Sequence, residues 1–231
     1  MKKRTLSFGK IQIEVPAIVA SLSGDEVVSK AQMAEVEGAD LIEVRLDLVP
    51  GDPLRIIEEV RDATLLPVVV TNRMRQEGGQ FKGNETERIN LLCEASQWAD
   101  LVDVELRAKC RNLLMQRVDL PVIVSYHDFQ GMPTFEDLRS LRDDIFGSGA
   151  DIAKIAVTPS KLEDSLGLLR ILLETKRPLC VIGMGELGRH LRAMAPTYGS
   201  VFTYGHLGTM TAPGQMSVKM LRQIFDILMG T

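Results

Sequence analysis

Cysteine is scarce in this chain, and the few cysteines form no recognisable pattern. The 231 residues include only Cys93, Cys110 and Cys180, which lie far apart and contain no C-x-x-C pair. An odd number of widely spaced cysteines predicts neither a disulfide framework nor a zinc motif. We therefore expect reduced and mostly buried thiols in a cytosolic protein.

Long apolar runs are also missing. Polar residues interrupt every apolar stretch before it reaches the roughly 18 residues that a membrane-spanning helix needs. The basic N-terminus, residues 1–4, is not followed by the apolar segment of a signal peptide. The sequence therefore predicts a cytoplasmic protein without a membrane partner.

Basic residues are fewer than acidic ones, and histidines are few. The chain has 27 Lys and Arg against 31 Asp and Glu, a net charge of −4. Proteins that bind nucleic acids usually show a basic excess instead. His127, His190 and His206 are dispersed, and no H-E-x-x-H motif occurs. We predict no nucleic-acid partner and no metal site.

One unit does recur along the chain: a short apolar run rich in β-branched residues, then a loop and a helical stretch. The runs occupy residues 17–21, 41–47, 67–73, 101–106, 121–127, 152–157, 179–184 and 201–205. Helical stretches include residues 26–37, 85–98, 134–146, 161–175 and 215–229, and helix-start signals stand at Asp52-Pro53 and Pro133-Thr134. Strands that alternate with helices predict a parallel sheet. Eight such units favour the α/β class and a (β/α)8 TIM barrel.

The first residues do not fit this repeat. Residues 4–15 alternate loosely between apolar and polar around Gly9-Lys10, which predicts a small N-terminal β-hairpin. We expect this hairpin to close the bottom of the barrel. Because no linker or low-complexity segment follows, we expect residues 1–231 to form a single (β/α)8-barrel catalytic domain.

Charged residues lie on one face of two of the predicted strands. Glu43, Arg45 and Asp47 alternate with apolar residues in one run, and Asp103 and Glu105 do so in another. Since the apolar face must pack against the helices, the charged face should point into the barrel near its C-terminal mouth. The alternative is a self-neutralised ion network with no catalytic role.

Lys154 is the most informative single residue. It lies within a short strand whose other members are all small or apolar. A lysine in an apolar site keeps its amine uncharged more readily, and an uncharged amine attacks ketones to form imines. The alternative is a lysine that extends to the surface.

His127 ends the preceding strand. Histidine is the usual proton carrier near neutral pH, and adjacent strand ends of a barrel reach the same small substrate. The alternative is a histidine whose hydrogen bonds serve the structure alone.

Two loops have the composition of anion-binding segments. Residues 71–79 follow the third run and contain Arg73, Arg75 and two glycines. Residues 209–215 follow the eighth run, and their Thr, Pro and Gly content favours a mobile lid. Either loop could instead be a solvated connection.

The stretch 183–188 satisfies G-x-G-x-x-G, the pattern of a dinucleotide-binding turn. That motif should be followed by an acidic residue about 20 positions later, which would bind the ribose. No Asp or Glu occurs between Leu187 and Phe225. We interpret the stretch as a tight turn and predict no dinucleotide cofactor.

Together these features resemble the type I 3-dehydroquinate dehydratase family over nearly the whole chain. The matching motifs, in order, are EVR at 43–45, TNR at 71–73 with EGG at 77–79, SYHDF at 125–129, AKI at 153–155, MGELG at 184–188 with Arg192, and APGQ at 212–215. The chain departs from the family pattern at Thr211, where Ser is frequent, at Leu191, where Ser is expected, and at Ile182, where Met is common. These departures affect details around the seventh strand.

The resemblance implies a role for each matching residue. Lys154 would form an imine with the ketone of 3-dehydroquinate, His127 would move the protons, and Glu77 would position His127. The residues implied to contact the substrate are Ser21, Glu43, Arg45, Arg73, Arg192, Thr211 and Gln215, with Arg192 on the substrate carboxylate.

The resemblance also implies a lyase of the shikimate and chorismate pathway. It would act in aromatic amino acid biosynthesis, without a cofactor, as a homodimer. Two rivals remain: a class I aldolase, which would cleave a carbon–carbon bond through a similar imine, and a catalytically silent barrel that only binds a small carboxylate.

Overall fold

The computed structural model describes residues 4–230 except the side chain of Met229, so residues 1–3 and 231 of the expected domain lie outside the described residues. The eight predicted runs form eight parallel strands. These are β3 (Ala17–Leu22), β4 (Leu41–Arg45), β5 (Val68–Thr71), β6 (Leu101–Glu105), β7 (Val122–Asp128), β8 (Ile152–Val157), β9 (Leu179–Gly183) and β10 (Phe202–His206). Each strand from β3 to β8 pairs with the next one along the chain, and β10 pairs with β3, so β9 and β10 lie at the two sides of the remaining seam. The backbone N–H of Val201 donates to the carbonyl of Leu179 at 3.0 Å, which joins the two ends of the sheet.

Helices cover the outside of the strands. They are α1 (Val27–Val36), α2 (Pro53–Ala63), α3 (Glu85–Ala95), α4 (Arg111–Arg117), α5 (Phe135–Gly147), α6 (Leu162–Glu174), α7 (Gly185–Gly188), α8 (Leu191–Met194) and α9 (Val218–Met229). The predicted helix starts are confirmed: the Asp52 side chain accepts a hydrogen bond from the backbone N–H of Leu54 at 3.0 Å, and Thr134 accepts one from that of Asp137 at 3.2 Å. Such caps satisfy backbone donors that have no partner within the helix.

Several predicted element ends are displaced by one to three residues; for example, the run 67–73 ends as a strand at Thr71, and the helical stretch 85–98 ends as an α-helix at Ala95. Two further displacements affect the site. The run 41–47 stops being a strand at Arg45, and a 3-10 turn follows over Leu46–Leu48. Asp47 therefore does not share the inner face of β4, and its carboxylate instead binds the Arg45 guanidinium at 2.8 Å. The last helix begins at Val218 rather than at residue 215, because a two-residue strand, β11 (Met216–Ser217), first pairs with β10.

The predicted hairpin is present at the bottom of the barrel. Strands β1 (Arg4–Phe8) and β2 (Ile11–Val15) pair in antiparallel fashion around Gly9-Lys10. Ile13 and Val15 pack with the residues that point inward from the first halves of the barrel strands, such as Leu41. The hairpin thus buries the lower end of the barrel interior and leaves the C-terminal end open.

Alternation along β8 decides which side chains enter the barrel. Ala153 and Ile155 pack outward against the helices, whereas Ile152 and Ala156 pack inward. Lys154 lies between these two inward positions, in register with Ser125 of β7 and Cys180 of β9. The inward direction of Lys154 follows from the two-residue period of the strand.

The seventh unit of the barrel has short helices. The chain between β9 and β10 contains α7 and α8, each of four residues. A Cβ on Gly183 would lie 2.6 Å from the carbonyl oxygen of Gly188. The glycines of the stretch 183–188 therefore allow close backbone packing, as expected for a tight turn. Within residues 4–230, no helix has the length and apolar character required to cross a membrane.

Candidate active site

A cavity of about 530 Å³, including its open mouth, lies at the C-terminal ends of the strands. All ten predicted site residues line it. They are Ser21, Glu43, Arg45, Arg73, Glu77, His127, Lys154, Arg192, Thr211 and Gln215. The structure thus brings together side chains that lie far apart in the sequence.

Lys154 is buried, with 4% of its surface exposed, at the floor of this cavity. Its Nζ donates to Asp103 Oδ2 at 3.0 Å and lies 3.5 Å from Glu43 Oε1. The same nitrogen stands 3.9 Å from the centre of the Tyr204 ring. The prediction of an inward lysine is confirmed, but that of an apolar environment is wrong. The small residues that flank Lys154 on its strand pack outward, and two carboxylates from other strands face its amine.

A chain of ion pairs extends from Lys154 across the barrel. Arg73 donates to Asp103 Oδ1 and Glu105 Oε1, both at 2.9 Å, and Arg88 pairs with Glu105 from the helix side. Burial alone would raise the pKa of Asp103, but the charges of Arg73 and Lys154 hold it well below its ordinary value. The ion network considered as an alternative therefore exists, and it adjoins the cavity, which its members Arg73 and Lys154 line.

His127 and Glu77 form a close pair. His127 Nδ1 lies 2.9 Å from Glu77 Oε2, and the backbone N–H of His127 donates to the same oxygen at 2.9 Å. Burial raises the pKa of Glu77 to about 7. Burial, together with the positive charges of Arg73 and Lys154, lowers the pKa of His127 well below its ordinary value. His127 is therefore neutral at physiological pH, and its Nε2 is the ring nitrogen that Glu77 leaves free.

Arg192 is a buried cation without a carboxylate partner among the described residues. Only 1% of its surface is exposed, and its guanidinium donates to the carbonyls of Tyr204 at 3.3 Å and Pro213 at 3.1 Å. Its Nε has no partner within the described part of the chain. Burial lowers the pKa of Arg192 to about 10, which leaves it charged. A buried unpaired charge is unfavourable, so this position favours an anionic ligand.

The segment between β10 and β11 covers the cavity. Thr211 Oγ1 donates to Ser21 Oγ at 3.0 Å, and Ser21 Oγ donates to Glu43 Oε2 at 2.7 Å. Gln215 Oε1 accepts from the backbone N–H of Thr211 at 2.8 Å. These bonds hold the segment closed over the strand ends, in the position expected of a lid.

Several further residues at the site are not among the predicted ones, and three of them bear on its chemistry or shape. The sequence places Asp103 on the inner face of its strand without indicating a function for it, and the structure places it against Lys154. Tyr204 and Phe129 line the cavity itself. In β10, Phe202 and Tyr204 alternate with Thr203. This alternation is the sequence feature that could have identified the Tyr204 side chain as pointing into the barrel.

Comparison with known proteins gives a consistent family. Residues 17–231 match the family described as Type I 3-dehydroquinase. The chain is 50% identical over 218 residues to a 3-dehydroquinate dehydratase from Methanothrix thermoacetophila, covering 94% of each chain.

Solved structures agree in fold. The 3-dehydroquinate dehydratase from Geobacillus kaustophilus superposes with a TM-score of 0.88 at 29% identity, covering 98% of this chain and 97% of that one. A type I 3-dehydroquinate dehydratase from Clostridium difficile, solved with covalent modified comenic acid, gives a TM-score of 0.84 at 27% identity and covers 98% of both chains. This chain is therefore an enzyme that belongs to the type I 3-dehydroquinase family.

Proposed function

We propose that this enzyme dehydrates 3-dehydroquinate to 3-dehydroshikimate through an imine on Lys154, within the shikimate pathway that leads to chorismate and the aromatic amino acids. One observation carries the proposal: a buried lysine amine shares a cavity with a neutral imidazole whose other nitrogen is held by a carboxylate. An amine and a proton carrier are the two groups that such an elimination requires.

The reaction begins at the substrate ketone. The Lys154 ammonium first releases a proton, and the resulting uncharged amine attacks the carbonyl carbon, whose oxygen takes up that proton through solvent. The resulting carbinolamine passes a second proton from nitrogen to this hydroxyl, which leaves as water, and the nitrogen lone pair forms the C=N bond. Once protonated, the imine withdraws electrons and acidifies the neighbouring C–H. No organic cofactor or metal is required by these steps, because the lysine itself provides the electrophile.

His127 then carries out the elimination. Its Nε2 removes the acidified proton, and the electron pair moves into an enamine. The enamine expels the β-hydroxyl, which receives the proton from His127 and leaves as water. Hydrolysis of the conjugated imine releases 3-dehydroshikimate and restores Lys154. Glu77 keeps the imidazole oriented through Nδ1, an arrangement like that of carboxylate–histidine pairs elsewhere.

The remaining cavity residues would bind the substrate. Arg192 offers a buried guanidinium to the substrate carboxylate, and charge-assisted bonds of this type fix orientation. Six further residues line the part of the cavity that would hold the substrate ring and its hydroxyl groups. They are Glu43, Arg45, Arg73, Ser21, Thr211 and Gln215.

Borohydride trapping tests the proposal. Incubation with 3-dehydroquinate and borohydride should add the mass of one reduced substrate to the intact protein, and peptide mapping should place it on Lys154. The Lys154→Ala variant should gain no mass, whereas Lys161→Ala, which removes an exposed lysine, should be tagged like the parent enzyme. No adduct on the parent would favour the silent barrel. An adduct without a conjugated ketone in the ultraviolet spectrum would favour the aldolase.

We also infer that the enzyme works as a homodimer in the cytoplasm. On α6, Leu162, Leu166 and Leu173 are 63%, 66% and 69% exposed and lie on one flank of the helix, beside the short seventh unit. Acidic residues 163 and 164 begin α6, and basic residues 176 and 177 follow its end. Two copies of α6 that run antiparallel about a two-fold axis would cover the leucines and bring opposite charges together.

A further inference from the structure

Asp103 makes the shortest ionic contact to the reacting nitrogen within the described chain, and the proposed mechanism gives it no function. Its two carboxylate oxygens have separate partners. Oδ1 accepts from Ser125 Oγ at 2.7 Å and from Arg73 Nη2 at 2.9 Å, whereas Oδ2 accepts from Lys154 Nζ at 3.0 Å. One oxygen is therefore anchored to the barrel wall, and the other is left for the amine.

We propose that Asp103 is the counterion of the Lys154 nitrogen throughout the reaction: it binds the ammonium in the free enzyme and the protonated imine in the adduct. This inference rests on the proposed function, since it concerns the imine of the same site. Asp103 is then a catalytic residue, because its carboxylate touches the atom that forms and breaks the C–N bond.

The anchoring explains why Asp103 can keep this role while the nitrogen changes. Arg73 is itself held by Glu105 at 2.9 Å. It can therefore stay paired with Asp103 when the Lys154 nitrogen changes from an ammonium to an imine. Asp103 has 1% of its surface exposed, so water screens its charge little. In such a site a fixed anion strongly favours the cationic form of a neighbouring nitrogen.

The chemistry needs this cation at two steps. The carbinolamine loses water only as the nitrogen lone pair forms a C=N bond, which creates positive charge on nitrogen. The C–H next to the imine carbon becomes acidic only while the imine is protonated. A carboxylate 3.0 Å from the nitrogen stabilises the charge at both steps without donating or accepting a proton.

Glu43 is the competing candidate. Its Oε1 is 3.5 Å from Nζ, and it accepts from Thr71 Oγ1 at 3.0 Å, while its Oε2 accepts from Ser21 Oγ at 2.7 Å. Both Glu43 oxygens thus already accept from hydroxyl groups, and among the described residues no guanidinium is paired with them as Arg73 is with Asp103. The other titratable or charged groups around the nitrogen are Arg45, Arg73, His127, Cys180, Arg192 and Tyr204.

The test compares Asp103→Asn with Glu43→Gln and Ser125→Ala. Each enzyme is mixed with 3-dehydroquinate, and borohydride trapping is followed by mass across a pH series, because borohydride reduces the protonated imine faster than the neutral one. In Asp103→Asn, we expect the alkaline pH at which trapping declines to be lower than in the parent by about one pH unit or more. We expect turnover to be lower by on the order of 100-fold. Glu43→Gln should shift the profile less. Ser125→Ala keeps the carboxylate and its bond to Arg73 but removes one of its anchors, so it should shift the profile less than Asp103→Asn.

A second measurement covers the case in which Asp103→Asn fails to fold. In the His127→Ala enzyme, which should form the imine but hardly eliminate water, ¹⁵N-labelled lysine reports the protonation of the adduct by its chemical shift. We expect an iminium signal that persists to alkaline pH. A neutral imine near pH 7, or an Asp103→Asn trapping profile that coincides with the parent, overturns the role of Asp103. If the parent enzyme forms no adduct at all, the proposed function fails instead.

Discussion

At the level of single residues, His127 and Glu77 titrate as one unit, because one proton lies between Nδ1 and Oε2. The ionised carboxylate accepts the Nδ1 proton and leaves Nε2 free as a base. The protonated carboxyl would instead donate to Nδ1 and place the imidazole proton on Nε2. The raised pKa of Glu77 thus affects the reaction directly.

The parent enzyme should therefore gain activity as pH rises through about 7, the pKa of Glu77. In Glu77→Gln this titrating group is absent, and the loss of a neighbouring anion lowers the pKa of His127 further. We expect kcat to fall by about 10- to 100-fold and the acid limb of the pH profile to move to lower pH. Initial rates across a pH series measure both effects. An unchanged acid limb would contradict the pairing.

Arg192 gives a second prediction at this scale. Its guanidinium faces the cavity without a carboxylate partner among residues 4–230, and a lysine cannot reproduce its two parallel donors. Arg192→Lys should raise KM by on the order of 10- to 100-fold and lower kcat less, because a charge-assisted pair contributes about 1.5–3 kcal/mol. Steady-state kinetics distinguish the two parameters. A change confined to kcat would assign Arg192 to the chemical step.

Among the elements, the lid is held by backbone contacts that depend on glycine. Gly214 has a φ of +72°, and a Cβ there would lie 2.3 Å from the carbonyl oxygen of Gly185. Gly208 in the same segment has a φ of +89°, but a Cβ there would have no described atom of another part of the chain within 4 Å. Both glycines have a left-handed backbone conformation. They differ in that only Gly214 lies where the lid contacts the seventh unit.

The Gly214→Ala variant should therefore keep the lid from docking on the seventh unit, and Gly208→Ala should not. We expect KM to rise by about tenfold or more in Gly214→Ala, with Lys154 still trapped by borohydride, because the lid encloses the substrate without touching the amine. Gly208→Ala is the matched control for the left-handed backbone. Equal effects in both variants would show that backbone strain, rather than docking, is responsible.

On the scale of the whole molecule, the exposed leucines of α6 are contiguous, unlike an exposed leucine elsewhere on the surface. Leu65 is 95% exposed and is the only exposed large apolar residue of the connection between α2 and β5, whereas the α6 leucines form a stripe. Isolated exposed leucines are normal, and contiguous ones indicate an interaction surface.

Replacing Leu166 and Leu173 together by Gln should convert the dimer into a monomer, as measured by light scattering after size exclusion. Leu65→Gln should leave the parent mass unchanged. Since the cavity lies at the strand ends and not on α6, the monomer should still form the borohydride adduct. A parent enzyme that is monomeric at micromolar concentration would contradict the proposed homodimer.

The single domain over 1–231 and the cytoplasmic location remain predictions. The three cysteines form no disulfide, but the prediction that they are mostly buried is wrong, because Cys180 is buried whereas Cys93 and Cys110 are only partly buried.

Local patterns in the sequence determined the eight strands, the hairpin and the inward direction of Lys154, His127 and Glu43. The reason is that strand alternation and helix caps involve residues a few positions apart. Only the tertiary structure decided which groups meet inside the barrel. Asp103 lies 51 positions from Lys154, and Arg192 meets carbonyls rather than a carboxylate within the described chain; both facts depend on how strands are staggered around a closed sheet. For the same reason, the apolar residues next to Lys154 in the sequence did not predict the charged surroundings of its amine.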